Sequence, residues 1–146
     1  MKITGLDVFF CILPIFYGFI MGFVSGIGKD AGENVKFRPP GWLFSVVWTI
    51  LFILLGFSWA IASNTSENKI LAIVMYSCLV FLLGIWIFVY NGLSKKTAAS
   101  WILILILAFA FACICLGNQW SKIMIAPLIA WCIFAMIMNT TEIQIA

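Results

Sequence analysis

Five long apolar stretches, separated by short polar segments, fill almost the whole chain. Each stretch predicts a transmembrane helix, because about 20 apolar residues cross a ~30 Å hydrocarbon core. The predicted helices cover residues 6–27, 42–62, 70–92, 98–116 and 123–140. The stretches are too long and too uniformly apolar for barrel strands, so helices are the remaining way to span a bilayer. We predict an all-α integral membrane protein, a five-helix bundle forming one domain over residues 1–146.

The composition excludes a soluble domain and narrows the chemistry. Hydrophobic residues make up 65% of the chain and charged residues 9%, which is outside the range of soluble globular proteins. No charged residue lies deep in a predicted helix, which argues against an ion pump or a proton-coupled carrier. The chain has no histidine, no Walker loop and no nucleophile elbow, so we expect no hydrolytic chemistry, no metal and no cofactor. The net charge of +3 does not indicate a nucleic-acid partner.

The cysteines all lie within apolar helices, and their spacing does not match a metal site. They are Cys11, Cys78, Cys113, Cys115 and Cys132. We interpret them as small apolar side chains in helix packing.

The basic residues predict an orientation in the membrane. With five spans, the N-terminus shares its side with the second and fourth loops, and this side holds Lys2, Lys69 and Lys122. The opposite side holds five basic residues: Lys29, Lys36, Arg38, Lys95 and Lys96. The positive-inside rule then predicts an N-terminus outside and a C-terminus in the cytoplasm.

The first helix carries a glycine series and is predicted to be permanent. Gly18, Gly22 and Gly26 follow each other at four-residue steps, a spacing that lets two helix backbones approach closely in lipid. The contact is either within the chain or a homodimer seam, and the sequence leaves both open. Asp7, Pro14 and the lack of a cleavage site argue against a signal peptide.

The first loop is the one sizeable polar segment, and it ends in Pro39-Pro40-Gly41-Trp42. Two prolines favour extended backbone, so we expect a rigid, extended segment, an elbow, directly before the second helix. This elbow is either a helix start with an interfacial tryptophan or a lid over the mouth of a cavity. The residues alone leave both interpretations open.

Aromatic and small residues recur at helical spacing. The second helix has one apolar, mostly aromatic stripe: Phe44, Trp48, Phe52, Leu55 and Trp59. The third helix has Trp86 and Tyr90 one turn apart. The fifth helix has a four-residue series: Pro127, Trp131, Ala135 and Asn139. Stripes of this kind are usually packing surfaces, but we predict that the fifth-helix series forms the wall of a pocket for a flat apolar ligand.

Two stretches resemble motifs of the TspO/translocator protein family, also called tryptophan-rich sensory proteins or peripheral-type benzodiazepine receptors. Residues 37–52 read FRPPGWLFSVVWTILF, similar to the family's W-x-P-P-x-W-x-F-x-x-x-W-T-x-L-Y. Residues 127–139 read PLIAWCIFAMIMN, similar to P-Y-L-x-W-x-x-F-A-x-x-x-N. Trp86 matches the tryptophan of a third-helix N-x-x-W motif, and Trp120 stands seven residues before Pro127 as the family's loop tryptophan often does.

Four departures from these motifs each remove a hydrogen-bonding group. Phe37 replaces a tryptophan, Leu83 an asparagine, and Leu128 and Phe52 each a tyrosine. A ligand's polar group left unpaired in a buried site costs about 1–3 kcal/mol. We therefore expect a drier, more lipid-like ligand than the family usually takes.

The resemblance implies a five-helix bundle around a cavity capped by loop one, often as a dimer. The implied ligands are tetrapyrroles such as protoporphyrin IX, sterols, and benzodiazepine- or isoquinoline-type drugs, in transport, sensing or regulation. Carried onto this chain, the ligand-binding residues are Phe37, Pro39, Pro40, Trp42, Phe44, Trp48, Phe52, Trp86, Tyr90, Trp131, Ala135 and Asn139. The alternatives are light-dependent porphyrin degradation, with Trp48 and Trp131 as candidate catalytic residues, and a membrane scaffold without a ligand.

Overall fold

Five α-helices make up the described part of the chain in this computed structural model. The structure describes residues 5–25, 41–92 and 95–145, with side chains at 5–21, 46–90, 95 and 97–141. The helices are α1 (Gly5–Ser25), α2 (Gly41–Thr65), α3 (Lys69–Ile87), α4 (Lys96–Ile114) and α5 (Gln119–Ile145), and α3 continues into a π-helical turn, Phe88–Gly92. The predicted all-α, five-helix architecture is confirmed. The predicted loop-one lid lies outside the described residues.

The helices have the length and composition of membrane spans. Four described segments are long and apolar enough to cross a bilayer: Val46–Thr65, Lys69–Tyr90, Thr97–Ile114 and Gln119–Thr141. Helix α1 contributes a shorter apolar stretch, Gly5–Met21. Its full 21 residues reach about 31 Å at 1.5 Å per residue, also close to a hydrocarbon core. The chain is a multi-pass integral membrane protein.

Each helix begins slightly before its predicted apolar stretch, and polar side chains cap the starts of α3 and α5. The Asn68 side chain accepts a hydrogen bond from the Leu71 amide at 3.1 Å, at the start of α3. Asn118 does the same for the Ser121 amide at 3.1 Å, at the start of α5. Side-chain caps satisfy backbone amides that have no partner within the helix, so these two helices start at polar residues that apolar length alone does not include.

The helices pack in the order α1, α2, α5, α4, α3, and α3 also contacts both α1 and α2. Helix α4 is the least buried of the four long spans, as expected for a helix facing lipid over much of its surface. Its fully buried residues follow steps of four and three along one face: Ala99, Leu103, Ile106, Ala110 and Cys113. This stripe is the part of α4 that meets the bundle.

Glycines let α1 approach its neighbours closely. A side chain at Gly56 of α2 would overlap the backbone of Cys11, and one at Gly84 of α3 would overlap the ring of Tyr17. Gly18 lies against the Phe52 ring, at 2.6 Å from the position that a Cβ would take. Gly18 therefore serves a contact within the chain, while the packing of Gly22 and Gly26 lies outside the described side chains.

A set of three buried hydroxyls ties α2, α3 and α5 together, and we call it the hydroxyl cluster: Ser58, Tyr76 and Ser121. Ser58 Oγ donates to the Ser121 carbonyl at 2.9 Å, and Ser121 Oγ donates to the Ser58 carbonyl at 3.2 Å. The Tyr76 hydroxyl lies 2.8 Å from Ser58 Oγ and 3.1 Å from Ser121 Oγ. Every hydroxyl proton thus has an acceptor, which satisfies these groups away from water.

A carboxylate is buried near this cluster, at the start of α1. Asp7 is only 4% exposed and accepts a hydrogen bond from Asn64 Nδ2 at 2.6 Å. Next to this contact, the Phe10 ring stacks on Trp59 at 4.4 Å and 14°. Asp7 lies in the first helical turn, so it is buried by packing of α1 on α2 rather than by depth in the membrane.

Candidate functional site: an aromatic cluster

Three tryptophans from three helices meet at the opposite end of the bundle from the hydroxyl cluster. Trp48 of α2 lies 5.4 Å from Trp86 of α3, between ring centroids, at an interplanar angle of 39°. Trp131 of α5 lies 6.4 Å from Trp48 and meets it edge-on at 89°. Both distances lie within the range in which aromatic rings attract each other. Trp48 is therefore the centre of the contact.

Three further rings extend this group, which we call the aromatic cluster: Trp48, Phe52, Trp86, Tyr90, Trp131 and Phe134. Phe52 lies 5.8 Å from Trp48, and Phe134 lies 5.2 Å from Trp131. Tyr90 stacks on Trp86 at 4.9 Å and 19°. Tyr90 belongs to the π-helical turn that ends the third helix, a distortion that is frequent at functional sites.

The aromatic cluster reaches from the core to the surface of the bundle. Trp86, Tyr90 and Phe52 are buried. Trp48, Trp131 and Phe134 are only half-buried. Part of each half-buried ring is open to a neighbouring molecule, so the cluster combines a rigid, buried base with accessible aromatic surface.

Two buried leucines stand where the family motifs have polar side chains. Leu83 and Leu128, which replace the family's asparagine and tyrosine, are fully buried. The indole nitrogen of Trp86 is also buried, and among the described residues it has no hydrogen-bond partner. The cluster therefore offers stacking surface and very little polar recognition.

Burial increases along the four-residue series of helix α5, from Pro127 to Asn139. Pro127 is exposed, Trp131 is half-buried, and Ala135 and Asn139 are buried. Each four-residue step advances 400° at 100° per residue, so three steps drift by about 120° around the helix. The buried stripe instead alternates steps of four and three: Ser121, Ile125, Leu128, Cys132, Ala135 and Asn139.

Asn139 makes a contact between α5 and α4. Its Nδ2 donates to Ser100 Oγ of α4 at 2.9 Å. Of the other predicted ligand-binding residues, Phe37, Pro39 and Pro40 lie outside the described residues, as do the side chains of Trp42 and Phe44. The structure thus brings together Trp48, Phe52, Trp86, Tyr90 and Trp131, with Ala135 one turn beyond Trp131.

Neither Phe134 as a site residue nor the hydroxyl cluster was among the predictions from the sequence. Phe134 lies three residues after Trp131, on the same side of the helix, and it stands in the P-x-x-x-W-x-x-F-A motif. Ser58 is a hydroxyl between apolar residues, and such hydroxyls often mark contacts between helices in lipid. Ser121 lies in a polar segment at the start of α5, so its position gave no such signal.

Comparison with known proteins assigns the chain to a family. The family model described as TspO/MBR family matches residues 10–144, nearly the whole chain. The chain belongs to the TspO/MBR family. The resemblance found in the motifs is confirmed, and the matched range contains every residue of the aromatic cluster.

Two relatives show how far the similarity extends. The tryptophan-rich protein TspO of Chlorobaculum tepidum is 28% identical over 116 residues, which is 75% of this chain and 73% of that protein. Protein CrtK of Rhodobacter capsulatus is 28% identical over 123 residues, or 80% of this chain and 77% of that protein. The likeness therefore covers about three quarters or more of this chain and about three quarters of each relative.

Proposed function

We propose that this protein binds flat apolar molecules at the aromatic cluster and acts in their transport, sensing or regulation. Tetrapyrroles such as protoporphyrin IX are the first ligand class, followed by sterols. The observation that carries the proposal is the meeting of Trp48, Trp86 and Trp131 from three helices. With Trp48 and Trp131 half-buried, a flat ring can stack on them without unfolding the core.

The energetics of such a contact predict micromolar binding. Each stacked ring pair contributes roughly 0.5–1.5 kcal/mol beyond its buried area. Burial of a few hundred Å² at about 25 cal/mol per Å² adds several kcal/mol. The loss of ligand freedom offsets much of this gain, so tight binding is not expected.

The buried leucines favour an apolar ligand over a polar one. Leu83 and Leu128 fill positions where family motifs carry an amide and a phenol, and both are fully buried. Polar substituents of a ligand facing these side chains find no partner, which weakens binding. We therefore place porphyrins and sterols before drugs that rely on hydrogen bonds.

A titration with protoporphyrin IX in lipid nanodiscs tests the proposal, with the shift of the porphyrin absorbance as readout. We expect saturable micromolar binding that weakens several-fold in Trp131→Phe. The control is Trp120→Phe, because Trp120 is 65% exposed at the start of α5. Equal, non-saturable uptake by all three proteins and by empty nanodiscs would mean partitioning into lipid and would refute the proposal.

A second candidate is light-dependent degradation of bound porphyrin, which the family resemblance implies. The edge-on contact of Trp48 with Trp131 favours it, because both candidate residues would touch one ligand. Under illumination, we expect the porphyrin absorbance to disappear faster with wild-type protein than with Trp48→Phe or Trp131→Phe at equal occupancy. Equal rates in all three would exclude this activity.

The proposed orientation places the N-terminus outside and the C-terminus in the cytoplasm. The side assigned to the cytoplasm has five basic residues against three on the other, which supports this arrangement. In oriented vesicles, a membrane-impermeant thiol reagent should label Ser66→Cys, in the α2–α3 connection, from the outside. Labelling from the cytoplasmic side alone would reverse the topology.

A further inference from the structure

We propose that Trp86 Nε1 donates a hydrogen bond to a carbonyl or carboxylate oxygen of the ligand at the aromatic cluster. The ligand class is then narrower than any flat apolar ring: it carries an acceptor at its edge. This inference rests on the proposed function and deepens it.

The first support is the state of the indole nitrogen itself. Trp86 is 4% exposed, and Nε1 is buried with no partner among the described residues. An indole N–H can only donate, and buried donors in native proteins almost always have an acceptor. Trp86 Nε1 lies at the base of the candidate binding site without an acceptor from the described residues, so the ligand supplies the acceptor.

The second support is where an acceptor would have to lie. A hydrogen bond places the acceptor within about 3 Å of Nε1, and therefore beside the indole ring. That ring lies 5.4 Å from Trp48 and 4.9 Å from Tyr90, between centroids. A ligand oxygen on Nε1 is thus compatible with the rest of the ligand stacking on the cluster.

The third support is that buried hydrocarbon side chains lie close to Trp86 in the described part of the bundle. Leu83 lies one turn before Trp86 and is fully buried, and Phe52 beside Trp48 is buried as well. Where the family motif has an asparagine, leucine offers no hydrogen bond. A trapped water needs two to four polar partners, so these hydrocarbon side chains favour a ligand oxygen over a water molecule.

Trp59 provides a matched comparison at the other end of the bundle. It is 1% exposed, and its Nε1 also has no partner in the described part of the chain. However, its ring is nearly parallel to those of Phe10 and Tyr76, at 14° and 12°, beside the hydroxyl cluster. The change Trp59→Phe therefore removes an equivalent indole N–H group at a position outside the aromatic cluster.

The test uses two porphyrins that differ in acceptor groups: mesoporphyrin IX, with two propionates, and etioporphyrin I, with alkyl groups alone. Both are titrated into nanodiscs of wild type, Trp86→Phe and Trp59→Phe, after subtraction of uptake by empty nanodiscs. A hydrogen bond to a charged acceptor corresponds to about a tenfold change in affinity. We expect Trp86→Phe to weaken mesoporphyrin IX by about this factor, while etioporphyrin I changes about twofold or less. Trp59→Phe should change neither.

Equal weakening of both porphyrins in Trp86→Phe would overturn the inference, since it indicates lost stacking only. Unchanged affinity for mesoporphyrin IX in that variant would overturn it as well. If Trp86→Phe does not fold, the wild type still decides: the inference requires tighter binding of mesoporphyrin IX than of etioporphyrin I. If one of these results overturns the inference but etioporphyrin I still binds saturably, the proposed function stands. Saturable binding of neither porphyrin refutes both.

Discussion

Different kinds of contact join the helices at the two ends of the bundle. At one end, Ser58, Tyr76 and Ser121 join α2, α3 and α5 through hydroxyls that satisfy one another and two backbone carbonyls. At the other end, Trp48, Trp86 and Trp131 join the same three helices through ring contacts alone.

We interpret the hydroxyl cluster as a contact that stabilises the fold and the aromatic cluster as a binding site. All three hydroxyl residues are fully buried, and breaking this network leaves polar groups without partners in a low-dielectric core. Ring contacts, in contrast, can be exchanged for contacts with a flat ligand at little cost, because stacking tolerates several geometries. We therefore expect stability to depend on the hydroxyl cluster and ligand affinity to depend on the aromatic cluster.

The largest effect on affinity should come from the central ring. Trp48→Leu removes contacts to both Trp86 and Trp131, and two ring contacts correspond to about 1–3 kcal/mol, or roughly fivefold to a hundredfold in affinity for protoporphyrin IX. Absorbance titration in nanodiscs measures this. Trp101→Leu is the control, because Trp101 is 68% exposed at the start of α4; equal losses in the two variants would contradict the separation.

The complementary change is at the hydroxyl cluster. Ser58→Ala leaves acceptors and donors of Tyr76 and Ser121 incompletely paired, and we expect a loss of about 1–3 kcal/mol in the free energy of unfolding. Porphyrin affinity of the folded protein should stay the same. The control is Ser77→Ala, whose exposed hydroxyl bonds only to the Ile73 carbonyl of its own helix, at 2.6 Å.

Reversible unfolding of reconstituted protein, followed by far-ultraviolet circular dichroism, gives these free energies. A Ser58→Ala variant as stable as Ser77→Ala would show that the hydroxyl network contributes nothing beyond packing. A variant of normal stability with weak porphyrin binding would reverse the roles assigned to the two ends.

The smallest expected effect concerns Ala135, one turn beyond Trp131. Ala135 is buried, so the larger side chain of Ala135→Thr should intrude beside the rings or tilt α5 and lower porphyrin affinity a few-fold, with the fold retained. Ala130→Thr is the control on the same helix, because Ala130 is exposed. Unchanged affinity in Ala135→Thr would move the site away from this face of α5.

The number, type and approximate length of the helices could be predicted because hydrocarbon thickness leaves few alternatives for such apolar stretches. The family motifs indicated Trp48, Trp86 and Trp131 one by one as site residues. Helical periodicity does not show which residue stripes face one another in the bundle, so their contact could not be predicted. Pro127 and Asn139 show this limit. Three four-residue steps connect them and suggested a shared helix face, but the drift around the helix leaves Pro127 exposed and Asn139 buried.

The hydroxyl cluster could not be predicted for a related reason. Ser58, Tyr76 and Ser121 are far apart in sequence, and no local pattern connects them. Only the packing order of the helices brings them together. Burial of Asp7 likewise depends on α1 lying against Asn64 at the end of α2, which composition and depth do not reveal.

The central claim is that ligand binds at the aromatic end, and photoaffinity mapping tests it most directly. A porphyrin carrying a diazirine group is bound to wild-type protein in nanodiscs and irradiated, and the modified residues are located by mass spectrometry. The account predicts adducts near Trp48, Trp86 and Trp131 that disappear when excess protoporphyrin IX competes. Adducts confined to the exposed outer faces of the helices, or unaffected by competitor, would contradict it.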